Sequence, residues 1–136
     1  MVVDWERFKK IGIEQLGKPY QFGFKPSDTD PNPSHFDCSA LVRWLYAQVG
    51  VKVPDGSENQ FEASVPTQSP KLGDLCFLAH PGHPTHHVGI VWDDGMVLEA
   101  HGSAVWANEP KYQVILRAQN LWIKQPDFAG FRRLTI

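Results

Sequence analysis

Two cysteines and six histidines offer the most chemistry in this 136-residue chain, and their settings differ. Cys38 stands in Asp37-Cys38-Ser39-Ala40, just ahead of Leu41, Val42, Leu45, Tyr46 and Val49 at helical spacing. Asp37 then reads as an N-cap, with Cys38 in the first turn of a helix. The position matters because the thiolate is the reactive form of cysteine. Unpaired N–H groups at a helix N-terminus bring a thiol pKa from ~8.5 down towards ~3.5–7.5. Spacing alone leaves Cys38 open between a nucleophile and a small packed hydrophobe. Cys76, between Leu75 and Phe77 in an apolar run, reads as a packed strand residue.

A nucleophilic thiol needs a base, and four histidines crowd into His80-Pro81-Gly82-His83-Pro84-Thr85-His86-His87. Hairpin arithmetic selects among them. If Asp93-Asp94-Gly95 is a three-residue loop with Gly95 left-handed, residue 91 pairs with 97, 89 with 99 and 87 with 101. His87, Gly89, Val97, Glu99 and His101 then share one face, with Glu99 opposite Gly89 and diagonal to His87. A two-residue loop would put Leu98 and Ala100 on that face instead, so the polar cluster depends on the loop. Given the cluster, His87 can take the thiol proton and return it to a leaving amine, while a carboxylate fixes the ring's tautomer and orientation. His80, His83 and His86 read as exposed loop residues. Their proline-broken spacing is not the i, i+4 register of a helical zinc site, so an exposed loop is preferred to metal binding, with a Cys/His site using Cys76 as the minority alternative.

These side chains need elements to position them. Trp5, Phe8, Ile11, Ile13 and Leu16 approximate one face of a first helix, with Asp4 as cap and Gly17 as stop. Residues 23–36 hold three prolines and no periodicity, which predicts a long surface loop. The Cys38 helix ends near Gly50, a short third helix starts after Gly56, and 64–71 is turn-rich. From Asp74 the period changes to that of strands: Leu75 to Ala79, His87 to Trp92, Met96 to His101, Val114 to Arg117 and Phe128 to Leu134. Helices first and strands afterwards predict an α+β domain with an antiparallel sheet, here taken as one domain over residues 1–136.

Composition narrows the function. Thirteen basic against fifteen acidic residues leave a formal charge of −2, so no basic field exists to hold nucleic acid or an anionic membrane. Hydrophobic residues at 42% and charged residues at 21% are globular values. Acidic residues near the start do not fit a secretory signal, and no apolar run is long enough for membrane insertion. Two cysteines do not make a disulfide framework.

Five pieces in order, from Leu16 to about His101, carry a resemblance: Gly17-Lys18-Pro19-Tyr20-Gln21-Phe22-Gly23, Asp37-Cys38-Ser39, Ser57-Glu58-Asn59-Gln60, Gly73-Asp74-Leu75, and His87-Val88-Gly89-Ile90 before a hairpin. Together they resemble the NlpC-type family of papain-like bacterial cell-wall peptidases. The resemblance implies the cysteine helix packed on a five- or six-stranded antiparallel sheet. It also implies hydrolysis of peptidoglycan stem peptides through a thioester, typically between D-γ-glutamyl and a diamino acid, without metal or cofactor. Cys38 becomes the expected nucleophile and His87 the base. The family's third polar residue lies twelve positions past the base, at Glu99, with His101 a neighbour that can contact substrate or substitute. Tyr20 matches a tyrosine whose hydroxyl, with the Cys38 N–H, stabilises the oxyanion. Asp37 and Ser39 match groove-lining positions, although capping alone accounts for an aspartate at 37.

Three departures qualify the match. Ala40 replaces a usual glycine, Asp55-Gly56 stands where many members have an arginine before the serine, and the stretch from Tyr20 to Cys38 is longer than common. That stretch is expected to wall the groove or dock to a partner. Without a signal or wall-binding segment in these residues, the expectation is a phage-derived enzyme or tail component delivered by other machinery, such as a phage tail or a secretion system. Two rival readings stand beside it: a catalytically silent tail or wall-binding module, and an acyltransferase or amidase with an apolar groove on a related scaffold.

Overall fold

The computed structural model describes residues 2–80, 85–102 and 112–136; His83 lies outside the described residues. Helix α1 spans Trp5–Glu14, and Asp4 Oδ1 accepts from the Arg7 N–H at 3.1 Å as its cap. The buried stripe is Phe8, Gly12 and Gln15. Ile13 and Leu16, expected on the buried face, are 42% and 39% exposed. The 3.6-residue period explains the difference: 8, 12 and 15 fall in line, while 13 and 16 fall beside it. Gly12 gave no apolar signal, yet its bare backbone admits the Trp92 ring, which would lie 2.5 Å from an added Cβ.

Helix α2 spans Cys38–Ala47 and buries Leu41, Val42, Trp44, Leu45 and Tyr46. Each fully buried leucine contributes about 1.5–3 kcal/mol of apolar transfer. The expected long loop over 23–36 is present and is fastened to the back of α2. Trp44 Nε1 donates to Asp30 O at 2.9 Å, and Arg43 pairs with Asp28 at 3.0 Å and with Asp55 at 3.1 Å. Helix α3, Ser57–Glu62, follows Gly56, as the sequence predicts. Among the described residues no helix is long and apolar enough to cross a membrane.

Among the described residues six strands form one antiparallel sheet: β1 (Ser64–Pro66), β2 (Leu75–Ala79), β3 (Thr85–Val91), β4 (Met96–Ala100), β5 (Val114–Ala118) and β6 (Phe128–Leu134), in the order β1-β6-β2-β3-β4-β5. Helix α2 packs on β3 and β4. Two elements differ from expectation. The turn-rich stretch after Ser64 contains β1, which is only three residues long and is held by pairing with β6 rather than by any pattern of its own. A short helix α4, Gln119–Ile123, lies between β5 and β6. His86, expected in a loop, is an exposed residue of β3 facing away from buried His87, because strand side chains alternate.

The β3–β4 hairpin has the expected register. Val91 pairs with Val97 and Ile90 with Leu98, and the connection Asp93–Gly95 has Gly95 at φ +70°. Asp94 also takes a left-handed φ of 60°. Gly89 sits where a Cβ would come 2.5 Å from Val97 and 2.8 Å from Trp122. Cys76 is fully buried, and burial, then the Glu99 charge, pushes its thiol pKa up. The Gly89 contact yields a prediction: Gly89→Ala overpacks this point and costs about 1–3 kcal/mol, read as a lower urea midpoint. An unchanged midpoint would show that the close approach is not a constraint.

Candidate active site

Cys38 is the first residue of α2, and two features hold that helix start in place. Asp37 Oδ1 accepts from the Ala40 N–H at 2.7 Å and from the Ser39 hydroxyl at 3.3 Å. Gln60, fully buried on α3, donates from Nε2 to Ser39 O at 3.0 Å and to Pro54 O at 2.9 Å. Gln60 belongs to a recognisable sequence motif, but nothing local in that motif reveals the reach across to α2.

On the sheet side, His87 is 7% exposed and its Nε2–H donates to Glu99 Oε1 at 2.9 Å. That bond leaves Nδ1 as the other ring nitrogen. Burial alone pushes the imidazole pKa down. It is outweighed by hydrogen bonding with Cys38 and Glu99 and by their charges, so the value rises to about 9. His87 and Cys38, 49 positions apart in sequence, therefore meet across the α2–β3 interface.

Glu99 has no exposed surface. Oε1 accepts from His87, from His101 Nδ1 at 3.2 Å and from Arg117 Nη2 at 3.0 Å; Oε2 accepts from Arg117 Nε at 2.9 Å and Trp122 Nε1 at 2.8 Å. Burial favours the protonated acid, but the hydrogen bonds from His101 and His87, with the charges of His87 and Arg117, hold the carboxyl well below the usual range. Of the two candidates to orient His87, Glu99 makes the direct bond to it. His101 bonds the same carboxylate oxygen, with its ring 6.4 Å from that of His87.

Tyr20 is 5% exposed, and its phenol pKa is pushed up by burial and then by the charges of Cys38 and Asp37. It therefore remains a neutral hydroxyl near the thiol. Its ring lies directly on Gly102, where a Cβ would come within 2.3 Å. Ser39, expected to line a groove, is instead 4% exposed with its hydroxyl on Asp37. Asp37 is the cap, and Lys25 from the long loop lies 3.4 Å from its Oδ2 and 3.4 Å from Asp55 Oδ1. Arg117, Trp122 and Gly102 carry no sequence signal, since each matters only through a partner distant in the chain.

Two groups of ligand-type side chains converge among the described residues, His80–His86–Asp127 and His87–Glu99–His101. In the first, on the surface, His86 Nε2 donates to Asp127 at 2.7 Å and stacks on His80 at 4.3 Å. In the second, both Glu99 oxygens are already occupied by Arg117 and Trp122.

A capped helix carrying a cysteine, set against an antiparallel sheet carrying a histidine and a buried carboxylate, defines a papain-like α+β arrangement. The chain belongs to the NlpC/P60 family, whose sequence profile matches residues 17–122. Over 99 residues it is 40% identical to the peptidoglycan endopeptidase RipB of Mycobacterium tuberculosis, a match covering 66% of this chain and 40% of RipB. The chain thus matches less than half the length of that relative. The P60 domain of antigen MAP1204 from M. avium subspecies paratuberculosis has a TM-score of 0.72 at 30% identity, over 96% of this chain and 93% of that one. RipD from M. tuberculosis, described as a non-catalytic NlpC/p60 domain protein adapted to peptidoglycan binding, shares the fold with a TM-score of 0.70 at 21% identity, over 96% of each chain.

The Glu99 hub gives a pH-dependent prediction. Glu99→Gln leaves Arg117 and the histidines without their anion and costs about 3–5 kcal/mol near neutrality. The depressed Glu99 value contributes stability present above its ordinary 4.5 and lost as pH falls below it. The raised His87 value contributes stability present below 6.5 and lost as pH rises through about 9. Urea unfolding of the two proteins from pH 3 to 10 should show the wild-type advantage largest between these limits. A difference independent of pH would contradict the assignment.

Proposed function

We propose that this chain is a cysteine endopeptidase that cleaves peptidoglycan stem peptides through a thioester, at the bond between D-γ-glutamyl and a diamino acid, with residues 1–136 acting as one catalytic domain. The observation that carries this reading is the alignment of Cys38, His87 and Glu99, with Glu99 bonded to His87 Nε2 so that Nδ1 is left for the thiol. The similarity to the peptidoglycan endopeptidase RipB adds support for the substrate.

In this mechanism His87 holds the proton of Cys38, and the thiolate sulfur attacks the scissile carbonyl carbon. Charge moves to the carbonyl oxygen, where the Cys38 N–H and the Tyr20 hydroxyl donate to it. Collapse breaks the C–N bond, and imidazolium passes its proton to the leaving amine. His87 then takes a proton from water as the hydroxyl attacks the thioester, and the carboxylic product leaves as the thiolate reforms. Glu99 keeps the ring in one tautomer throughout. The roles of nucleophile, base and orienting group thus fall to Cys38, His87 and Glu99, while His101 is left to face the substrate or support Glu99. Asp37 caps the helix and, with Lys25 and Asp55, makes the rim of the site charged. A charged rim suits a peptide better than the apolar acyl chain of an acyltransferase or lipid amidase substrate.

RipD favours a second reading, a silent wall-binding module, because this fold is compatible with a non-catalytic role. Digestion of purified peptidoglycan followed by mass spectrometry of the muropeptides separates the two and identifies the bond. The wild-type protein should release new amines even with chelator present, and Cys38→Ala should remain folded and release none. Undiminished release by that variant would overturn the mechanism. Tyr20→Phe should lower kcat about 10²–10³-fold, as loss of one oxyanion donor does. A wild-type kcat in that variant would remove Tyr20 from the oxyanion site.

A further inference from the structure

We propose that Arg117 and Trp122 are positioning residues for this site: together they clamp the Glu99 carboxylate and one face of the His87 ring, fixing the base in a single plane and tautomer. The proposal rests on the reading of Cys38 and His87 as nucleophile and base.

Arg117 engages Glu99 with two hydrogen bonds, Nε to Oε2 at 2.9 Å and Nη2 to Oε1 at 3.0 Å. This fork matches the carboxylate plane and resists its rotation. Trp122 does two things at once. Its Nε1–H donates to Oε2 at 2.8 Å, and its ring stacks on His87 with centroids 5.1 Å apart and planes 13° from parallel. The Arg117 guanidinium in turn lies 5.5 Å over the Trp122 ring. Arg117, Trp122 and His87 therefore form a stack whose three members all bond the same carboxylate. Turning the His87 ring would break its bond to Glu99 and its contact with Trp122 together. Gly89 makes this possible, since any side chain there would meet Trp122.

Charge points the same way. The groups facing Glu99 are His87 from β3, His101 just after β4, Arg117 from β5 and Cys76 from β2, with Cys38 on α2 reached through His87. Arg117 is the permanent cation in this set. It allows a carboxylate without solvent contact to stay ionised as His87 gains and loses its proton. Without Arg117, Glu99 takes up a proton more readily as pH falls.

The test uses Trp122→Phe, Arg117→Gln and Arg117→Lys beside the wild type. Two readouts are needed: kcat and KM on soluble muropeptides, and the pH dependence of iodoacetamide alkylation at Cys38, located by mass spectrometry to separate it from Cys76. Trp122→Phe keeps an aromatic face but loses the N–H. It should lower kcat about tenfold, within the ~10²-fold that a 1 Å misplacement costs, with KM within about twofold of wild type. Arg117→Gln should do the same and move the acid limb of alkylation to higher pH, and Arg117→Lys should recover part of both. A purely structural role would lower the melting temperature yet leave kcat and the alkylation profile of the folded protein unchanged; that result in both Trp122→Phe and Arg117→Gln overturns the proposal. If Arg117→Gln does not fold, Trp122→Phe decides alone. If the wild type cleaves no muropeptide, the preceding mechanism fails, and the alkylation profiles decide this proposal separately. Rapid wild-type alkylation near pH 6 that is lost in the variants supports it, whereas slow wild-type alkylation or profiles shared by all the proteins overturn it.

Discussion

The carboxylate of Glu99, fully withdrawn from water, sets the terms for the sheet half of the site, which carries His87 and His101. A buried anion is tolerated only when its charge and lone pairs are satisfied. Five hydrogen bonds among the described residues do this, arriving from β3, from β5, from α4 and from the residue that follows β4. The strand order follows the same requirement. Only with β4 between β3 and β5 can one side chain on β4 meet a histidine on one neighbour and an arginine on the other.

The other half of the site is built from backbone. Cys38 opens α2, with Asp37 closing the cap through the Ala40 N–H and Gln60 holding the Ser39 carbonyl from α3. Lys25, Asp55 and Arg43 then fasten the long loop beside the helix start. Packing of α2 on β3 and β4 decides how far the thiol stands from the imidazole. The chemistry thus sits at an interface between a helix set by its cap and a strand set by its hydrogen-bond register.

Features determined over a few residues were legible early. The cap at Asp37, the helix behind it and the Asp93–Gly95 connection depend on local φ/ψ and side-chain reach, and all stand where the pattern puts them. The hairpin also carried the shared face of His87, Glu99 and His101, because strand alternation converts one loop length into a register. Where local pattern was misleading, packing explains it. Ile13 was expected inside because it is apolar, but Gly12 takes the buried position since Trp92 needs the space. Ser39 sits in the nucleophile motif yet turns inward to Asp37.

The sequence by itself determined the helix at Cys38 and the candidates for nucleophile, base and neighbouring carboxylate, because each follows from neighbours within one turn or one hairpin. Only the tertiary structure decided how that carboxylate survives burial, since Arg117 and Trp122 lie eighteen and twenty-three residues away on elements whose own patterns say nothing about Glu99. Their role depends on strand order and on a glycine's missing side chain. Those are properties of the packed sheet, and no periodicity along the chain encodes them.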